Sequence, residues 1–215
     1  MGLAGVILAA GESTRMGRDK ALLPWGSPHP LKSAKGGAAS YVVASGTLLS
    51  AAIQTLSQFC EMVIVVSGNN ELALRPVVYS GGASLVRNPT PELGQFSSLQ
   101  AGLREVLSRG RDAAIVTLVD RPPPKSETLN SLVNVFSARE HGVWAVVPEH
   151  QGKHGHPILI GREMMEAFLR APASANAREI EHTNQVNIAY VPVADPLVVA
   201  NVDTPEDYAS LESGL

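Results

Sequence analysis

The chain has 215 residues, 45% of them hydrophobic and 17% charged, with a formal net charge of −3. That length suits one large domain or two small ones, and the composition is ordinary for a soluble globular protein. The small negative charge excludes a bulk electrostatic pull toward nucleic acid or membrane, so any bound anion must be held by a local cluster.

The single cysteine, Cys60, excludes an intramolecular disulfide and fits a reducing compartment. It precedes the apolar run 62–66 and reads as a buried structural thiol. No stretch reaches the roughly 18 apolar residues of a membrane span. The N-terminal stretch lacks the basic region and cleavage site of a signal peptide. A cytoplasmic location is expected, with neither nucleic acid nor membrane as partner.

Short apolar, β-branched runs at 5–10, 62–66, 83–86, 113–119, 143–147 and 187–191 read as strands. They carry few polar alternates, as expected when both faces of a sheet are covered. Helical spacing lies between them. Residues 47–58 place Leu48, Ala52, Ile53 and Leu56 on one face, and 97–109 place Leu99, Leu103, Val106 and Leu107. Residues 126–139 do the same with Leu129, Leu132, Val133 and Phe136, with Ser126 as N-cap. Helices are also expected over 162–169 and 205–211, the last with Thr204 as N-cap and Pro205 in first place. This alternation predicts an α/β fold: a three-layer α/β/α, doubly wound, mostly parallel sheet.

In such sheets ligands bind outside the carboxyl ends of the strands. The polar segments there are 11–20, 88–98, 120–124 and 201–203. Residues 26–46, rich in Ser, Ala and Gly, read as a flexible surface loop. Lys32 and Lys35 would let it act as a lid over an anion. No repeat and no dividing linker is visible, so a single domain over 1–215 is expected.

The first loop carries the strongest chemistry. Gly11 and Gly17 bracket the turn after the first strand, where missing Cβ atoms let backbone N–H groups approach a ligand. Arg15 and Lys20 add a forked and a point-like positive charge. A polyphosphate is the anion that would use both. The loop is neither G-x-x-x-x-G-K-[ST] nor G-x-G-x-x-G.

The stretch "LAAGESTRMGRDKALLPWG" resembles the signature loop of the MobA-like NTP transferase family, whose members attach a nucleotide to molybdopterin. The resemblance continues at "GQFSSLQAGL" (94–103), "VTLVDRPP" (116–123), "GHPILI" (155–160) and "NVDTPEDY" (201–208), in the family's order. It implies a Rossmann-like nucleotidyltransferase fold. It also implies a Mg²⁺-dependent reaction in which a substrate phosphate attacks the α-phosphorus of an NTP and pyrophosphate leaves. Arg15, Lys20 and Asp120 would be the catalytic residues. Leu8, Ala9, Ala10, Gly11, Ser13, Arg15, Gly17 and Lys20 would hold the nucleotide, together with Gly94, Ser97, Ser98 and Gly102.

Asp120 directly follows the strand 113–119 and would bind the metal, with Asn201 or Asp203 opposite it. Asp120 as a turn residue, and Asp203 as a cap of the last helix, are the bland alternatives. Arg121 stands where the family often has Met or Gln, and would touch phosphate or face solvent. His154 and His156 lack the further ligands of a zinc site. Gly155, His156 and Pro157 would instead lie beside the acceptor.

In this family "LAAG" and "GHPIL" accompany cytidylyl transfer more often than guanylyl transfer. CTP and molybdopterin are therefore the expected substrates, and a molybdoenzyme would receive the product. Guanylyl transfer to molybdopterin, CTP activation of a sugar or alcohol phosphate, and a non-catalytic pterin-binding chaperone are the alternatives.

Overall fold

The computed structural model describes residues 2–11, 16–26 and 46–212. In chain order, β1 (Leu3–Ala9) is followed by an antiparallel pair, β2 (Pro24–Trp25) and β3 (Gly46–Thr47), and by α1 (Leu48–Ser57). Then come β4 (Met62–Ser67), α2 (Glu71–Ser80), β5 (Ser84–Arg87), α3 (Gln95–Ser108), β6 (Ala113–Leu118) and α4 (Ser126–Ser137). β7 (Ala145–His150), β8 (Lys153–His154) and β9 (Ile158–Gly161) follow with no helix between them. α5 (Arg162–Arg170), α6 (Ala177–Thr183), β10 (Ile188–Pro192) and α7 (Pro205–Glu212) complete the described chain.

The main sheet runs β10-β7-β9-β6-β1-β4-β5, with β8 beside β7. β1 pairs in parallel with β4 and β6, β4 with β5, and β10 with β7. The mostly parallel, doubly wound sheet is therefore present. β9 is the departure, running antiparallel between β6 and β7. Its register opposes Ile158 to Val116, so the residues just before β9 reach the rim where β6 ends.

Alternation along β1 builds the layers. Leu3, Ile7 and Ala9 face Leu49, Ile53 and Leu56 of α1, with α2 and α4 completing that side. Ala4, Val6 and Leu8 face the other way, among Leu99, Leu103 and Val106 of α3 and the buried methionines of α5. Burying each such leucine contributes about 1.5–3 kcal/mol, so two full layers supply the main driving force. Gly102 belongs to this packing. A Cβ there would stand 2.7 Å from Val6 Cγ1, so glycine lets α3 close onto the sheet. Cys60 packs against the first layer, and burial pushes its thiol up to about 12, which keeps it protonated.

Two helix starts differ from expectation. α3 begins at Gln95, ahead of the expected Ser97, because Gly94 at φ 93° supplies the left-handed turn into it. Ser126 is the first helical residue of α4 and Lys125 its N-cap. α7 begins as expected. Thr204 Oγ1 accepts from the Asp207 N–H at 3.2 Å, and the Asp207 carboxylate accepts from the Thr204 N–H at 2.9 Å. Of the segment 26–46, expected to be a flexible surface loop, residues 27–45 with Lys32 and Lys35 lie outside the described residues. Among those described, no helix is long and apolar enough to cross a membrane.

Candidate active site

Leu8 and Ala9 are buried at the end of β1, and Ala10 and Gly11 lead off its carboxyl end. Ser13 and Arg15 lie outside the described residues. Past them Gly17 turns the chain at φ 65°, a conformation that suits glycine. Asp19 then caps a short 3-10 turn, its Oδ1 accepting from the Ala21 N–H at 3.0 Å. Asn70, in the segment after β4, fixes this turn from outside. Its Nδ2 donates to Asp19 Oδ2 at 2.7 Å and to the Ala9 carbonyl at 2.9 Å. Below the turn, Met16 and Leu23 pack with Leu48, Val202 and Tyr208, and the Tyr208 hydroxyl donates to the Pro24 carbonyl. The loop is thus tied to the last helix.

This bracing buries Lys20 to 9% exposure and aims its ammonium at two carboxylates. Lys20 Nζ is 2.8 Å from Asp203 Oδ1 and 3.4 Å from Asp120 Oδ2. The Val202 N–H donates to the Asp120 carbonyl at 2.9 Å, which sews the end of β6 to the segment before α7. Arg121 adds to that seam, its Nη1 donating to the Ala200 carbonyl at 2.9 Å and the Val199 carbonyl at 3.3 Å. Asn201 Nδ2 donates to Asp203 Oδ2. The helix cap falls to Thr204 and Asp207, so the Asp203 side chain is turned to Lys20 and Asn201.

Two of the oxygens here, Asp120 Oδ1 and Asn201 Oδ1, are buried with no hydrogen-bond partner. Unpaired buried oxygens are costly, and hard oxygen donors are the ligands magnesium takes. The donor set fits a divalent cation. Among the described residues no group of three or more His, Cys, Asp or Glu gathers, so phosphate or water oxygens would complete the shell.

Beside this cluster opens a cleft of about 490 Å³, lined by Leu8, Gly94, Leu99, Arg121, His156 and the start of α6, among others. His156 reaches it because β9 is antiparallel, whereas Gly155 does not line it and Pro157 faces Ala52, Thr55 and Leu56 of α1 instead. The His156 N–H donates to the Val198 carbonyl at 2.8 Å, and the Gly155 N–H to the Pro148 carbonyl at 2.9 Å. Pro157 follows through a cis peptide bond. His154 is elsewhere, stacked on Tyr190 with ring centroids 3.9 Å apart.

Ser97 and Ser98 do not face this cleft. Both are buried, and Asn88 Nδ2 donates to their hydroxyls at 2.8 and 2.9 Å. They brace the 88–98 loop, and Gly102 lies deeper still, on the face of α3 that packs against Val6 and Val66. Of these four expected nucleotide contacts Gly94 alone is on the cleft wall, beside Leu93, Gln95 and Phe96.

The model of the MobA-like NTP transferase domain matches residues 5–189. The chain belongs to this family. Like the rest of the MobA-like family, it is a nucleotidyltransferase. It is 28% identical over 209 residues to the molybdenum cofactor cytidylyltransferase of Escherichia coli (strain K12), covering 94% of this chain and 92% of that one. It is 29% identical over 211 residues to a probable molybdenum cofactor guanylyltransferase of Mycobacterium avium (strain 104), covering 98% and 95%. The crystal structure of Rv0371c from Mycobacterium tuberculosis H37Rv shares the fold, with a TM-score of 0.77 at 22% identity over the whole of both chains.

Within this MobA-like site, Asn70, Asp19 and Asn88 are not legible from sequence. Their only local signal is a position in loops after strands, where Asn and Asp are common for turn reasons alone. His156 has a measurable consequence. Burial is the main cause that lowers its imidazole to about 4; Arg121 adds to the effect, and a hydrogen bond to the Val116 backbone opposes it. The unfolded imidazole, near 6.5, therefore takes up a proton first as pH falls. The stability held by neutral His156 is full above that value and drains away toward about pH 4, by no more than about 3 kcal/mol. Urea unfolding across this range should show the slope in wild type and a flatter one in His156→Phe.

Proposed function

We propose that this MobA-like enzyme transfers a nucleoside monophosphate, CMP in our reading, from an NTP to the phosphate of molybdopterin in the cytoplasm, releasing pyrophosphate. The observation that carries the proposal is the Lys20 ammonium lying between Asp120 and Asp203 at the carboxyl rim of the sheet. Nucleotidyl transfer joins two anions, so it needs cationic groups and carboxylate-held metal at one point. An oxygen of the acceptor phosphate bonds to the α-phosphorus while the bond to the β-phosphate oxygen breaks. The acceptor is already ionised, so no side-chain nucleophile is required.

Leu8 to Gly11, Ser13, Arg15 and Gly17 would present backbone and charge to the triphosphate, and Lys20 would move its ammonium onto it. Gly94, Ser97, Ser98 and Gly102 would shape the base side, the last three by fixing the loop and helix behind Gly94. Asp120 and Asp203, with Asn201, would hold Mg²⁺. When bound, the ion would neutralise charge that develops on the α-phosphate. His156 would form the acceptor side, in the cleft that Arg121 enters, with Gly155 and Pro157 holding the turn that carries it. A molybdoenzyme would take the finished dinucleotide.

Ala10 and the "GHPIL" stretch support CTP, as does the Escherichia coli relative. The mycobacterial relative supports the second reading, guanylyl transfer to the same acceptor. The test mixes the protein with Mg²⁺, each NTP in turn and molybdopterin, and follows pyrophosphate. CTP is expected to give the fastest release. Release with GTP alone would assign the second reading. No release with any NTP, together with pterin binding, would make the protein a cofactor carrier. A parallel thermal-shift screen should show the preferred nucleotide adding about 2.7 kcal/mol of stability at a hundred times its Kd.

A further inference from the structure

Lysine is almost never buried without partners that repay its desolvation. Lys20 is buried, and its ammonium touches carboxylates that lie 100 and 183 positions away along the chain. Those carboxylates, on the ends of different segments, share one small volume. Asp120 also keeps its second oxygen buried and unpaired, and the one side-chain oxygen of Asn201, whose amide nitrogen is bonded to Asp203, is buried and unpaired too. Such a group of oxygens is electrostatically incomplete without a cation among them. The protein supplies one itself.

We propose that Lys20 is a stand-in for the metal. Its ammonium holds Asp120 and Asp203 together in the nucleotide-free protein and competes there with a divalent ion. This inference rests on the metal placement proposed above. An ammonium and a divalent ion repel at contact distances, so both cannot be bound between the same carboxylates without cost. A free divalent ion must therefore displace Lys20. A triphosphate changes the balance by offering the ammonium another anionic partner, which leaves the carboxylates to the ion. Lys20 is in this respect a positioning residue for the metal ligands as well as a phosphate ligand. Metal and nucleotide would enter together rather than metal first.

The test reads metal binding without nucleotide and without turnover. Binding of Mn²⁺ alone is measured by the loss of its free paramagnetic resonance signal on wild type, Lys20→Met, Asp120→Asn and the double variant. Lys20→Met is expected to bind Mn²⁺ about tenfold or more tightly than wild type. The double variant should lose that gain. A lysine with a merely structural role would give equal or weaker binding when removed. If Lys20→Met binds no more tightly while Asp120→Asn weakens binding, the stand-in is overturned and the metal placement survives. If neither substitution alters Mn²⁺ binding, the metal placement fails, and the stand-in with it. Lys20→Gln, which keeps a donor without the charge, is the second variant, with the rise in Tm on adding Mn²⁺ as a second readout. A larger rise than in wild type supports the proposal. Variants that stay unfolded even with Mn²⁺ overturn it.

Discussion

Asp120→Ala is expected to lower the rate of pyrophosphate release by about 10²-fold or more at saturating substrates. The substitution removes both oxygens that β6 delivers to the rim, one bonded to Lys20 and one buried without a partner. The main-chain seam between Asp120 and Val202 does not involve the side chain, so the fold should be retained. Single-turnover pyrophosphate release, with circular dichroism and Tm as controls, checks this. A wild-type rate in a folded Asp120→Ala protein would take Asp120 out of the chemistry. The size of the effect follows from the low dielectric of a partly closed site, where a missing charge is not replaced by solvent at comparable strength.

Gly155→Ala should damage stability rather than chemistry alone. A Cβ at that position would collide with the Val198 carbonyl oxygen, which is main chain and cannot rotate aside. The same carbonyl accepts from the His156 N–H, so relieving the clash breaks that bond as well. We expect a loss of at least about 3 kcal/mol, seen as a fall in Tm of roughly 6–12 °C. The displaced segment leads into Asn201 and Asp203, so metal-dependent activity should fall further than stability alone predicts. An unchanged Tm would mean that the two loops are not in contact in solution.

The sequence is most readable where one local pattern dominates. The β-branched runs of β1, β4 and β6 are buried on both faces, so their composition alone marks them as central parallel strands. The cap of α7 is readable because Thr204, Pro205 and Asp207 interact within one turn. α2 is not, because Pro76 interrupts its pattern, and its buried face is only Leu74 and Val78. β9 is equally hidden, because three apolar residues and a glycine after a proline fit a buried turn as well as a strand.

By itself the sequence determined the alternation of strands and helices, the glycine-bracketed loop after the first strand, and the placing of Asp120 at the carboxyl end of β6. These follow from propensities and hydrophobic period, which act over a few residues. Only the tertiary structure decided that Lys20 would be buried between Asp120 and Asp203, that Asn70 would hold the first loop, and that Gly155 and His156 would reach the same rim. Those contacts join segments far apart in the chain, and they depend on strand order and on the reversed direction of β9. Long-range pairing is chosen by the packing of the whole sheet, which no short stretch of sequence encodes.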